Sequence, residues 1–225
     1  MSAITSMDLT GFTPREDETG VWTDERGVVL SVHYFPVVPD LAAPLAEGER
    51  LRRELARFTA RAGAGLIEAS VGELAGMPAL RQLVKVRRPV GHGQVFVGSW
   101  TVPRQSCSVV LKVQAAEGPV SGMREAVVVD RVGPDAYVRP HPYDPELAGP
   151  MPWHVADLPE WDAHFPGHPL TLVRETLARV AAGVVLDERF RALPPFGGPV
   201  ADADAGPAAE PTAVPPRRRW WQRGR

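Results

Sequence analysis

Four of the six histidines fall between positions 141 and 168: His141, His154, His164 and His168, interleaved with Asp157, Glu160 and Asp162. Imidazoles and carboxylates are the donors of metal sites and the partners of proton-transfer chemistry. His164 and His168 stand four apart, a spacing that shares one helix face, but Pro166 and Gly167 lie between them and break that helix. A serine nucleophile would need its own strand-to-helix elbow, and Val97-Gly98-Ser99-Trp100 lacks the second glycine of such a motif. Gly91-His92-Gly93 has no Lys or Ser/Thr after it and no helix pattern following, so it reads as a hairpin turn rather than a phosphate loop. The lone Cys107 sits in an apolar alternating run and reads as a buried structural thiol. The sequence therefore predicts no catalytic set, no bound metal and no cofactor. The one enzymatic alternative draws on the His and acid residues of the 141–168 stretch.

The same stretch carries Trp153, Trp161 and Phe165. Together with His154, His164 and His168 they form a candidate interaction patch. The competing use of such aromatics is to pin a long loop to the sheet beneath it. A second candidate lies at the C-terminus, where Arg217, Arg218, Arg219, Arg223 and Arg225 surround Trp220 and Trp221. Basic residues beside interfacial tryptophans suit weak, salt-sensitive contact with an anionic membrane surface. The competing reading is a merely soluble tail in an arginine-rich chain, since Lys85 and Lys112 are the only lysines among 25 basic residues.

The formal net charge of −2 gives no drive toward nucleic acid, and none is expected as a partner. No apolar run reaches the length of a membrane span, and residues 1–20 lack the apolar core of a secretory signal, which predicts a cytoplasmic protein. Hydrophobic content of 44% is ample for a packed core.

The elements that must position these residues are legible as periodicities. Residues 1–19 are polar and read as a loose arm, followed by a single domain over 20–193. Val21 to Phe35 reads as two strands around a turn at Asp24–Gly27. Glu47 to Ala62 places Leu51, Leu55, Phe58 and Ala62 on one helical stripe. Four alternating runs between Gly65 and Gln114 predict an antiparallel meander. In the run Leu80–Arg87 the set Arg81, Leu83, Lys85 and Arg87 reads as a wet, basic face. In the last run Cys107, Val109, Leu111 and Val113 read as the inner row, with Ser108, Lys112 and Gln114 outward. Residues 121–131 are open to two readings, a strand favoured by Val127-Val128-Val129 and a helix capped by Ser121, of which the helix is preferred. Pro169 starts the last helix, over 169–183. The Pro/Ala-rich stretch from Pro194 onward predicts a disordered tail over 194–225.

Several segments carry a family resemblance. Ala64-Gly65-Leu66-Ile67-Glu68, Gly76-Met77-Pro78-Ala79-Leu80 and Gly122-Met123-Arg124-Glu125-Ala126 resemble a group of uncharacterised bacterial proteins, as do Trp161-Asp162 and Phe165-Pro166-Gly167-His168-Pro169. That group is similar to the PsbP-like α/β/α sandwich. The resemblance implies an α+β fold, an antiparallel sheet of five or six strands flanked by helices on both sides, and no shared catalytic residues. The expected function is a non-catalytic, protein-binding or accessory module whose partner is another protein.

Overall fold

The computed structural model of the chain describes residues 3–199. In chain order the elements are β1 (Ile4–Ser6), β2 (Phe12–Pro14), β3 (Val21–Asp24), β4 (Val29–Phe35), α1 (Gly48–Arg61), β5 (Gly65–Leu74), β6 (Met77–Arg87), β7 (Gln94–Pro103), β8 (Ser108–Ala116), α2 (Met123–Val132), α3 (Pro134–Tyr137), α4 (Pro169–Ala182), β9 (Val185–Leu186) and α5 (Glu188–Arg191). The main sheet has seven antiparallel strands in the order β2-β3-β4-β8-β7-β6-β5, and β1 pairs with β9 in a separate two-stranded ladder.

Alternation along the strands gives the sheet two apolar faces, each covered by one helix. On one face Leu170, Val173, Leu177 and Val180 of α4 pack on Leu83, Phe96, Val109 and Leu111. On the other, Leu51, Leu55 and Ala56 of α1 pack on Leu66, Leu80, Val84 and Val97. The α4 contact depends on Gly98, because a β-carbon there would stand 2.7 Å from Val173 Cγ1 and 3.1 Å from Leu177 Cδ2.

The meander, the β3–β4 pair and the helices near 47–62 and 169–183 agree with the periodicities, and 121–131 takes the helical one of its two open readings. The differences are instructive. The sheet is larger than five or six strands. Residues 1–19, expected as a loose arm, supply β1 and the edge strand β2, whose Phe12 packs on the core. The α1 stripe is rotated, burying Ala56 and Thr59 while Phe58 is only half-buried. The N-cap of α2 is Gly122, at φ 74, and not Ser121. A left-handed residue at that position suits glycine, which has no β-carbon to clash.

Two faces expected to be wet are buried. Lys85 is 1% exposed and Lys112 is 3% exposed, with Ser108 also buried. Lys85 lies on the α4 face, where the 138–168 segment closes over it. Residues 194–199 are not separate from the domain. Gln105 N donates to Pro194 O at 2.9 Å, and Phe196 packs against the α1-side core. The Arg217–Arg225 cluster lies outside the described residues. Among the described residues no helix is long and apolar enough to cross a membrane.

Candidate binding cleft

β5 is an edge strand, and edge strands leave backbone groups unpaired. The 138–168 segment supplies the missing partners. His141 Nε2 lies 3.0 Å from Leu66 O, and Ala69 N donates to Tyr143 Oη at 2.9 Å. Tyr143 N donates to His141 Nδ1, which puts the imidazole proton on Nε2 and makes it the donor to Leu66. Asp144 accepts from Arg57 Nε of α1 at 2.7 Å. The segment is thus stitched to the sheet and to α1 before it reaches its two short 3-10 turns, Val155–Asp157 and Pro159–His164.

Those turns lower a second set of charges onto the α4 face. Lys85 Nζ donates to Asp157 Oδ2 at 2.6 Å and lies 2.9 Å from His154 Nε2. An ammonium has only donors, so the His154 Nε2 lone pair is the acceptor and the ring proton sits on Nδ1. Nδ1 faces Asp157 Oδ2 at 3.5 Å. The backbone closes the same turn, with His154 N donating to Asp157 Oδ2 at 3.0 Å. Tyr137 stacks on the imidazole with ring centroids 4.9 Å apart. Burial pushes the Lys85 ammonium below its ordinary value, and the Asp157 carboxylate opposes that shift. Burial also drives His154 down from 6.5 to about 4, against Asp157, which pulls it up.

Beside this triad lies a second network. Arg124, in the first turn of α2 and 1% exposed, donates through Nε to Ala156 O at 2.8 Å and through Nη2 to Leu158 O at 2.9 Å. Its Nη1 reaches Asp162 Oδ1 at 2.7 Å and Thr171 Oγ1 at 3.1 Å. Arg174 of α4 donates to Asp162, Glu68 and the Asp157 carbonyl. Burial lowers the Arg124 pKa and Asp162 raises it, and a guanidinium remains charged under such opposing effects.

An open cleft of about 520 Å³ lies at the end of the β6–β7 hairpin, with Lys85 and His154 among its lining residues. Arg87, Arg88 and His92 line its hairpin side, and Glu117, Ser121 and Gly122 belong to the loop after β8 on the other. Arg87 Nη2 donates to Pro150 O at 3.3 Å and Arg88 Nη1 to Glu117 O at 3.0 Å, so the lip is tied to both walls. Val90, Val120 and Met123 are 78%, 74% and 57% exposed in the segments that form those walls.

Of the proposed patch, Trp161 and Phe165 share one cluster and His164 lies against Trp161, whereas His154 and His168 serve other contacts. His154 is buried in the triad. Trp161 and Phe165 pack against Val128 and Val155, under Arg131 and Arg124 at 5.8 Å each. Trp153 is half-buried, and His164 is exposed and tilted against Trp161. His168 caps α4, its Nδ1 accepting from Leu170 N at 3.2 Å, with Nε2 3.8 Å from Glu117 Oε1. Lys85, Arg124, Glu117 and Glu125 carry no local pattern that marks a site. The available signal was Lys85 itself, one of two lysines in a chain that otherwise uses arginine.

The His154 shift has a direct consequence. Between about pH 6.5 and pH 4 the unfolded chain binds a proton that folded His154 refuses. Its contribution to stability is therefore full above about 6.5 and is lost as pH falls through that window. Urea unfolding near pH 7 and near pH 5 should show a fall of about 2 kcal/mol from this residue, absent from His154→Gln. An unchanged pH dependence in the variant contradicts the assignment.

The chain matches no family model and no curated protein sequence closely enough to assign it a relative.

Proposed function

We propose that the chain is a non-catalytic binding module, with the cleft at the β6–β7 hairpin as its protein-binding site. The observation that carries this reading is that the basic lone pairs of the two well-placed histidines are already engaged. His154 Nε2 faces the Lys85 ammonium, and His168 Nδ1 accepts from the α4 backbone. Asp157 is matched by Lys85, and Asp162 by Arg124 and Arg174. These groups hold the 138–168 segment in place, and neither of these two histidines offers a free lone pair for proton abstraction.

The cleft offers what a partner segment needs. Arg87 and Arg88 present positive charge, and Val90, Val120 and Met123 present exposed apolar surface close by. That combination suits a protein segment carrying acidic and apolar side chains, with charge setting orientation and apolar contact supplying affinity. The PsbP-like resemblance, which implies an accessory role, points the same way.

The test is heteronuclear NMR titration of the full chain with a library of acidic–apolar peptides, alongside charge-inverted counterparts. Shifts confined to residues 87–94 and 117–123, weakened at least about tenfold by Arg87→Glu with His92→Glu, are expected. Shifts elsewhere, or equal binding of the inverted peptides, contradict the reading. Turnover of a small substrate abolished by His154→Gln would replace it with an enzyme.

A further inference from the structure

Behind the acidic wall of the cleft three buried side-chain atoms have no hydrogen-bond partner: Gln94 Oε1, Glu125 Oε2 and His168 Nε2. They belong to one cluster. Gln94 Nε2 donates to Glu125 Oε1 at 3.2 Å, and Gln94 N donates to Glu117 Oε2 at 2.8 Å. That amide bond fixes which end of the Gln94 side chain faces Glu125. Glu117 Oε1 accepts from Gly122 N at 2.9 Å and still lies 3.8 Å from His168 Nε2. Buried acceptors without partners are the groups a cation satisfies.

We propose that Glu117, Glu125 and His168 form a binding site for a first-row divalent transition-metal ion such as Zn²⁺. One ligand atom from each of the three lies within 4.8 Å of the other two, close enough for a single ion to reach all of them. The three residues come from separate places in the chain: the loop just after β8, the first turn of α2 and the N-cap of α4. The sheet and the two helices position them independently of the ion. One imidazole with two carboxylates favours Zn²⁺, Mn²⁺ or Co²⁺ over Mg²⁺ and Ca²⁺, which take oxygen ligands. Glu117 also lines the cleft, which gives the ion a path in and leaves a coordination position for water or a donor from the cleft.

The imidazole tautomer provides an internal reporter. With Nδ1 accepting from Leu170 N, the ring proton rests on Nε2. A metal takes the Nε2 lone pair, so the proton moves to Nδ1 and the Leu170 bond is exchanged for the metal bond. Loading is therefore felt at the Leu170 amide, which is not itself a ligand.

The experiment is calorimetric titration of Zn²⁺ into the full chain, repeated with Glu125→Gln and with His168→Asn. Asparagine retains an N-cap acceptor for α4 while removing the ring nitrogen, and circular dichroism checks that both variants fold. The expected result is one Zn²⁺ per chain, with affinity reduced at least about tenfold in each variant, since loss of even a supporting residue typically costs that much. The Leu170 amide resonance should shift on loading in the wild type. Absence of uptake, uptake that either variant leaves unchanged, or a Leu170 resonance that does not move would each overturn the proposal. Equal affinity for Mg²⁺ would overturn the assignment to a transition metal.

Discussion

Asp157→Ala is expected to lower the unfolding free energy by about 3–5 kcal/mol, among the largest effects available to a single substitution here. The carboxylate is 2% exposed and sits 2.6 Å from the Lys85 ammonium, itself 1% exposed. Removing it leaves a buried cation with only the His154 lone pair opposite and also takes away the acceptor for His154 N. Replacing both partners removes the uncompensated charge. A buried ion pair exchanged for apolar groups is often nearly neutral, so Lys85→Met with Asp157→Ala should recover much of the loss. Urea unfolding of the two singles and the double reads this as a coupling energy. A single substitution costing less than about 1 kcal/mol would show that the pair is solvated and not buried.

Arg124→Met is expected to have a comparable effect, about 3–5 kcal/mol, by a different route. The methionine fills most of the volume but donates nothing. The carbonyls of Ala156 and Leu158 and the hydroxyl of Thr171 lose their donor together. Asp162 keeps Arg174, so its charge is not stranded. The damage should therefore be local as well as global. Amide exchange in residues 155–165 should accelerate far more than in β7 or β8, because α2 no longer holds those turns. Uniform acceleration across the sheet would place the role of Arg124 in the core rather than in the clamp.

These two residues also mark what a single sequence can reveal. Strands β4 to β8 and helices α1 and α4 follow from local periodicity, because each buries a face whose pattern repeats within a dozen residues, whereas the preference for α2 over a strand rests on a Ser121 cap that the structure moves to Gly122. The burial of Lys85 does not follow from its pattern. Placed between Arg81 and Arg87 in an alternating strand, it has the pattern of a solvated face, and the partner that buries it is 72 residues away. The same holds for His141 and Tyr143, which satisfy the β5 edge across separations of 75 and 74 residues. β2 was hidden for another reason. It is three residues long and ends in proline, which is tolerated at an edge but gives no strand signal. In the candidate site, His154 and His168 stood out by residue type. Their partners Lys85, Glu117 and Glu125 did not, because nothing local distinguishes a carboxylate that will face an imidazole from one that will face water.

The claim that the 138–168 segment is a clamp, with its histidine lone pairs engaged, rests most directly on the state of His154. The ¹⁵N chemical shifts of its ring nitrogens, followed from about pH 8 to about pH 4, measure that state. The account predicts a neutral ring near pH 7, with Nδ1 protonated and Nε2 in the unprotonated, hydrogen-bond-accepting range, and a titration midpoint near 4. A midpoint near 6.5, or a proton on Nε2 at neutral pH, would mean that the lone pair is not held by Lys85 and would return His154 to the set of available general bases.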